Sequence, residues 1–246
     1  MNYVHRSLIC AALITAIAPA LAHAQQQEKK DVNAASGPLT VGVVLYPGFE
    51  LLDVFGPVEM FVNIGVERLK MVMVAEKAGN IASGPTKDAT GYAGPKAVAD
   101  YGFEDCPPLD IILVPGGFGT LDELDNEKLL TFLRERSARA QITTSVCSGS
   151  ALLAKAGLLD EKKATSNKAF YSMLVANGPK TNWVPKARWV EDGNMITSSG
   201  VSAGIDMALA VIARLYGNET AEQIAHGTEY VWNKDPHNDP FAVAIK

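Results

Sequence analysis

Four short apolar runs rich in β-branched residues, separated by stretches of helical length, constrain this chain more than any other feature. Leu39 to Tyr46 (LTVGVVLY), Leu69 to Ala75 (LKMVMVA), Leu109 to Val114 (LDIILV) and Ile142 to Val146 (ITTSV) have the length and the apolar, β-branched character of strands buried in a parallel sheet. Between and after them, Val54 to Ile64, Asn126 to Arg139, Ser148 to Leu158 and Lys168 to Ala176 have helical length and spacing, with Gly157 and Gly178 where helices stop. This alternation predicts a mostly parallel sheet covered on both faces by helices, a three-layer α/β/α sandwich.

Further along, Ala187 to Val190 and Met195 to Ser198 flank the turn sequence Glu191-Asp192-Gly193-Asn194, which reads as a β-hairpin. Ser202 to Tyr216 is apolar nearly all round, with only Asp206 and Arg214 charged, so this helix should be buried. A last helix is expected from about Glu219 to Trp232. No repeat or linker divides residues 39–246, which read as one domain.

Residues 1–24 read as an export signal. Met1 to Ser7 carries Arg6 and no acid, Leu8 to Ala18 is apolar, and Ala22-His23-Ala24 places small residues before a cut that would leave Gln25 as the N-terminus. The apolar run is about half the ~20 residues needed to span a bilayer, so a periplasmic or secreted product, free of the membrane after cleavage, is expected. Gln25 to Pro38 is polar and aperiodic, a solvated tail before the fold. The full chain carries a net charge of −5 and has no basic block, which argues against nucleic acid as its main partner. Hydrophobic residues make up 48% and charged residues 20%, values that exclude a disordered or polytopic membrane chain.

Open α/β sheets carry their chemistry beyond the C-terminal ends of the strands. Four segments there are candidates: Pro47 to Asp53, Pro115-Gly116-Gly117, Cys147-Ser148-Gly149 and Ser198-Ser199-Gly200. Cys147 follows a strand directly and begins a helix, the arrangement of a nucleophile elbow with sulfur in place of a serine oxygen. A helix N-terminus there would favour the thiolate; the alternative is a buried structural cysteine. A disulfide to Cys106 is not expected. Cys106 precedes its strand and Cys147 follows its own, so roughly 15 to 20 Å of strand separates them, against a limit of ~7 Å for bridged Cα atoms.

The Gly116-Gly117 pair is either a simple turn or a source of backbone N–H groups that, with Ser148 N–H, would face developing negative charge. By spacing, Asp53 favours capping the helix through Val58 and Phe61. Facing a thiol from an apolar loop, its carboxyl would instead have a raised pKa and could donate a proton. No histidine lies between residues 24 and 225, so a Cys-His-Glu triad lacks its base, and His226 reads as packed on the last helix. No phosphate-binding glycine motif and no metal-ligand spacing occur, so neither a cofactor nor a metal is expected.

Asp53-Val-Phe-Gly56-Pro57, Asp105 to Asp110 leading into Val114-Pro-Gly-Gly117, Thr144-Ser-Val-Cys147-Ser-Gly149 and Ala156-Gly-Leu-Leu159 with Ala164-Thr165 are joined by Asp192-Gly-Asn194 through Asp206 and by Glu229-Tyr230. Together these resemble the ThiJ/PfpI superfamily of the class I glutamine amidotransferase-like fold, most closely its isonitrile hydratase branch, over about residues 39–242. The resemblance implies a flavodoxin-like sandwich, Cys147 as nucleophile, Asp53 as its carboxyl partner, Ser148 as the adjacent hydroxyl and Gly117 in an anion pocket. It also implies a homodimer, with Phe49, Leu51 and Leu52 as candidate contacts, and a small neutral substrate hydrated without a cofactor. Many relatives have His shortly after Ala-Thr, where this chain has Ser166-Asn167; that departure favours carboxyl–thiol over base-assisted chemistry and leaves the role of Asn167 open. The family's regulators append a helix-turn-helix region, which is not expected in the roughly 30 residues after Ala213. A non-catalytic redox or stress protein, and a small-carbonyl hydrolase or glyoxalase-like enzyme, are the alternatives within the superfamily.

Overall fold

The computed structural model describes residues 37–84 and 93–242, so the leader and nearly all of the polar tail lie outside the described residues. In chain order the elements are β1 (Leu39–Val44), α1 (Leu51–Val62), β2 (Leu69–Val74), β3 (Gly79–Ala82), β4 (Lys96–Ala99), β5 (Ile111–Val114), α2 (Thr120–Glu123), α3 (Glu127–Ser137), β6 (Ile142–Ser145) and α4 (Gly149–Lys155). These are followed by β7 (Lys163–Ala164), α5 (Tyr171–Val175), β8 (Asn182–Trp183), β9 (Trp189–Asp192), β10 (Met195–Ser198), α6 (Ala203–Tyr216) and α7 (Asn218–Gly227).

Six strands form the main sheet in the order β2-β1-β5-β6-β10-β9, parallel except for the antiparallel β9–β10 hairpin. Every residue of β5 and β6 is buried, which is why their sequences show no polar alternation. Helices α1, α6 and α7 pack together, and α4 packs against α2, α3 and α5, giving the expected layers. The sheet order reverses between β1 and β5, so the loops after these strands diverge and open a crevice at their C-terminal ends.

Several expectations shift. The β3–β4 hairpin was not anticipated, because Gly79–Ala82 and Lys96–Ala99 are short and poor in β-branched residues. The last helix stops at Gly227 rather than Trp232, and the chain beyond it turns inward. There Tyr230 Oη donates to Asp206 Oδ1 at 3.0 Å and Trp232 Nε1 to the Asp206 carbonyl at 3.2 Å. Asp206 is fully buried on α6 and pairs with Arg188 Nε at 2.6 Å, a pair that ties α6 to the start of β9. The backbone N–H of Arg188 donates to Pro236 O at 2.8 Å, binding the C-terminal segment to the same edge. Phe49 lies in the core and Leu51 is half-buried, so of the three candidate contact residues only Leu52 is exposed.

Candidate active site

The loops after β1, β5, β6 and β10 converge. Cys147 sits between β6 and α4 with φ of 58°, a left-handed conformation that is costly for a residue with a Cβ and that the surrounding bonds must hold. Its N–H donates to Ser199 O at 3.2 Å, and its carbonyl accepts from Ser150 Oγ at 3.1 Å and Ser166 Oγ at 3.2 Å. This is the geometry of a nucleophile elbow. Both described cysteines are free, as the strand geometry required.

Asp53 does not cap α1. It is the third residue of that helix, the cap position is Glu50 without a side-chain bond, and the Asp53 carboxyl turns toward the crevice. Its Oδ2 accepts from Gly116 N–H at 2.8 Å, while Oδ1 is buried and has no hydrogen-bond partner among the described residues. Burial pushes the carboxyl up to about 8, the Gly116 N–H pulls it down, the nearby Glu50 carboxylate pushes it further up, and the Cys147 thiol pulls it down. At neutral pH Asp53 is therefore a neutral acid. Because Oδ2 accepts the amide hydrogen, the acidic proton belongs on Oδ1.

The expected thiolate is not what the geometry favours. Burial, and then the charge of Asp53, raises the Cys147 thiol well above the usual thiol range, outweighing the Asn167 amide and the Ser148 backbone N–H that lower it. Burial thus favours the neutral form of both Cys147 and Asp53.

Gly116 permits this close packing, since a Cβ there would fall 2.5 Å from both Ser148 N and Oγ and 2.9 Å from Asp53 Oδ2. The Gly117 N–H, expected to face substrate charge, instead donates to Ser148 Oγ at 3.0 Å. The glycine pair thus serves the two neighbouring side chains and leaves no free N–H at Gly117 for an anion.

Asn167 is brought to the sulfur, a role its position in sequence left open. Its Nδ2 donates to Cys147 Sγ at 3.0 Å, and its Oδ1 accepts from Phe170 N at 3.2 Å, which fixes the amide with its NH₂ toward sulfur. Gly200 backs this contact. A Cβ there would collide with the Asn167 amide and lie 3.0 Å from Sγ. Behind Ser148 stand Thr120 and Tyr46, neither marked by any sequence pattern. His226, expected to be packed, is exposed on α7, because it lies on the face opposite the buried Ile224 and Ala225.

Above Cys147 lies a cavity of about 320 Å³, walled by Phe118, Leu121, Phe170, Met173, Leu174 and Val201. Phe118 and Phe170 meet edge-to-face at its mouth, with ring centroids 6.2 Å apart. Such a chamber suits a small neutral molecule with an apolar group.

Residues 40–214, spanning the sheet, the elbow and most of α6, match the model of the DJ-1/PfpI family. The chain belongs to this family. Among its relatives is the isonitrile hydratase of Pseudomonas putida, 36% identical over 196 residues, which is 78% of each chain. Another is protein dj-1beta of Drosophila melanogaster, 29% identical over 51% of this chain and 66% of that one. A solved ThiJ/PfpI family protein from Pseudomonas syringae is 34% identical and superposes with a TM-score of 0.67, covering 79% of this chain and 76% of its own. DJ-1/PfpI membership agrees with the parallel sheet and the cysteine elbow described above.

Proposed function

We propose that this chain is a cysteine-dependent isonitrile hydratase, converting R–N≡C and water to the N-substituted formamide. The observation that carries the reading is the Cys147 thiol lining an apolar cavity with the buried Asp53 carboxyl, pushed up to about 8, behind it. Sulfur addition to the isonitrile carbon alone would leave an anion on that carbon, so a proton must arrive with it. Asp53 Oδ1 donates that proton to carbon while the thiol proton passes to the carboxyl, giving the thioimidate R–N=CH–S–Cys147 with no net charge formed. Water then adds to the thioimidate carbon, and loss of the thiol gives R–NH–CHO and restores Cys147. Ser148 positions that water. The 36% identity to an isonitrile hydratase supports the same reading.

The alternatives are less well supported by the site. A redox sensor needs an accessible thiolate, whereas Cys147 is buried and that burial pushes its thiol up. A base-assisted reaction on small carbonyls needs a group that takes a proton, and the amide of Asn167 at the sulfur does not.

The test is turnover of an aryl isonitrile to its formamide, with methylglyoxal and a peptide ester as competitors. Cys147→Ala should abolish turnover, and Asp53→Asn should keep the fold while losing roughly 10² to 10⁴ in rate. Turnover of methylglyoxal but of no isonitrile overturns the reading. We further propose export with cleavage after Ala24, checked by the intact mass of the secreted product, and a homodimer using Leu52 and Phe55, both exposed on α1. Light scattering that shows a monomer at micromolar concentration removes the dimer.

A further inference from the structure

We infer that Tyr46 and Thr120 are positioning residues that, through a one-way chain of hydroxyl hydrogen bonds, keep the Ser148 hydrogen off the Cys147 sulfur and present Ser148 to the cavity as an acceptor. The Tyr46 phenol oxygen lies 2.7 Å from Pro115 O and 2.9 Å from Thr120 Oγ1, and Thr120 Oγ1 lies 2.8 Å from Ser148 Oγ. Tyr46, Thr120 and Ser148 are all buried. A carbonyl has no hydrogen to give, so Tyr46 must donate to Pro115 O. Its single hydrogen is then used, and its oxygen accepts from Thr120. Thr120 in turn accepts from Ser148. Ser148 Oγ has spent its hydrogen and receives the Gly117 N–H at 3.0 Å, which leaves one lone pair for the cavity. The other direction open to the Ser148 hydrogen, toward Gly117 O, is longer at 3.3 Å.

One fixed point therefore sets the polarity of the whole chain. With Ser148 an acceptor, a water entering the cavity is oriented with one hydrogen toward Ser148 and its lone pair free for the thioimidate carbon. The thiol meanwhile keeps its proton until Asp53 relays it. Burial holds the Tyr46 phenol well above its ordinary range, so the chain does not lose its donor at working pH. The catalytic half of this inference rests on the hydratase reading, whereas the hydrogen-bond polarity does not.

The test is the rate at which iodoacetamide alkylates Cys147 in the intact chain at pH 7, resolved from Cys106 by peptide mass. In Tyr46→Phe, Thr120 is released to donate to Ser148 and Ser148 to donate to sulfur, so alkylation should rise about tenfold, equivalent to a shift of about one pKa unit. Thr120→Val should do the same, which keeps the test available if Tyr46→Phe does not fold. Thr120→Ser, which preserves the chain, should alkylate at the unaltered rate. In a Ser148→Ala background, Tyr46→Phe should have no effect. An unchanged or slower rate in both Tyr46→Phe and Thr120→Val, or an acceleration that survives Ser148→Ala, overturns the inference. Isonitrile turnover forms the second arm: kcat should fall about tenfold in Tyr46→Phe with KM little changed, and an unchanged kcat removes the catalytic half. If the unaltered chain hydrates no isonitrile, the hydratase reading fails while the alkylation series still decides the polarity.

Discussion

The side-chain amide of Asn167 donates to Cys147 Sγ at 3.0 Å, although 20 residues separate the two in sequence. It is an aimed contact, because Phe170 N–H holds the amide oxygen. The bond lowers the thiol's proton affinity against the larger effect of burial. Asn167→Ala should therefore slow alkylation of Cys147, by about threefold to tenfold for the loss of one hydrogen bond to a developing charge. Asn167→Asp should slow it further, since a carboxylate would oppose the thiolate. Mass-resolved alkylation of the two variants checks the order, and a faster rate in either contradicts it.

The cavity mouth should govern which apolar group enters. Phe118 and Phe170 are 61% and 49% exposed, so a bulky group entering the cavity buries part of both rings. Truncating either to Ala should remove roughly 1 to 2 kcal/mol of contact with a bulky apolar group, or about 5- to 30-fold in kcat/KM. Methyl isonitrile, too small to span the mouth, should lose little. A loss equal for aryl and methyl substrates would mean that the two rings act on the chemistry rather than on the substituent.

What was legible in the sequence follows from chain order. Cys147, Asp53 and Ser148 sit directly after buried strands or at the start of a helix, where local pattern and site position coincide. Asn167 enters from a loop between the two-residue β7 and α5, too short an element to leave a periodic signal. Tyr46 reads as the end of an apolar run, and Thr120 hides in a single turn of helix, so their hydroxyl chain exists only in three dimensions. The helix terminus at Cys147 is visible in sequence, whereas the desolvation that pushes its thiol up is a property of packing. The last helix ends at Gly227, short of the expected Trp232, because Tyr230 and Trp232 turn to hydrogen-bond Asp206 instead.

That service to Asp206 makes the Arg188 pair a stability determinant apart from the site. Asp206 receives Arg188 Nε, Tyr230 Oη and Asn233 N–H, at 2.6, 3.0 and 2.9 Å, and is fully buried. Asp206→Ala leaves the buried Arg188 guanidinium with only the longer contact to Asp239 Oδ1 at 3.8 Å, so the loss should be about 2 to 4 kcal/mol, short of that for a fully unpaired charge. Urea unfolding should show this loss, with Cys147 alkylation unchanged in the folded fraction. A loss below about 1 kcal/mol would indicate that Asp239 or water takes over the pairing of Arg188.

The raised Asp53 carboxyl ties both rate and stability to pH. Its folded-state value of about 8 lies above the unfolded value near 3.8, so between these limits the folded chain holds a proton that the unfolded chain releases. Stability from this group is complete below about pH 4, falls as pH rises toward 8, and is lost above it. Asp53→Asn cannot titrate, so between pH 6 and pH 9 the variant should lose less stability than the unaltered protein in matched urea unfolding. Turnover follows the same proton. If protonated Asp53 is the acid that reaches the isonitrile carbon, kcat should be level near neutrality and decline about tenfold per unit above roughly pH 8. A site driven by a preformed thiolate would behave oppositely, gaining rate as pH rises through this range. The direction of the rate between pH 7 and 9 therefore separates a thiol–acid pair from a thiolate nucleophile, and a rising limb there would return Asp53 to a purely structural place beside Gly116.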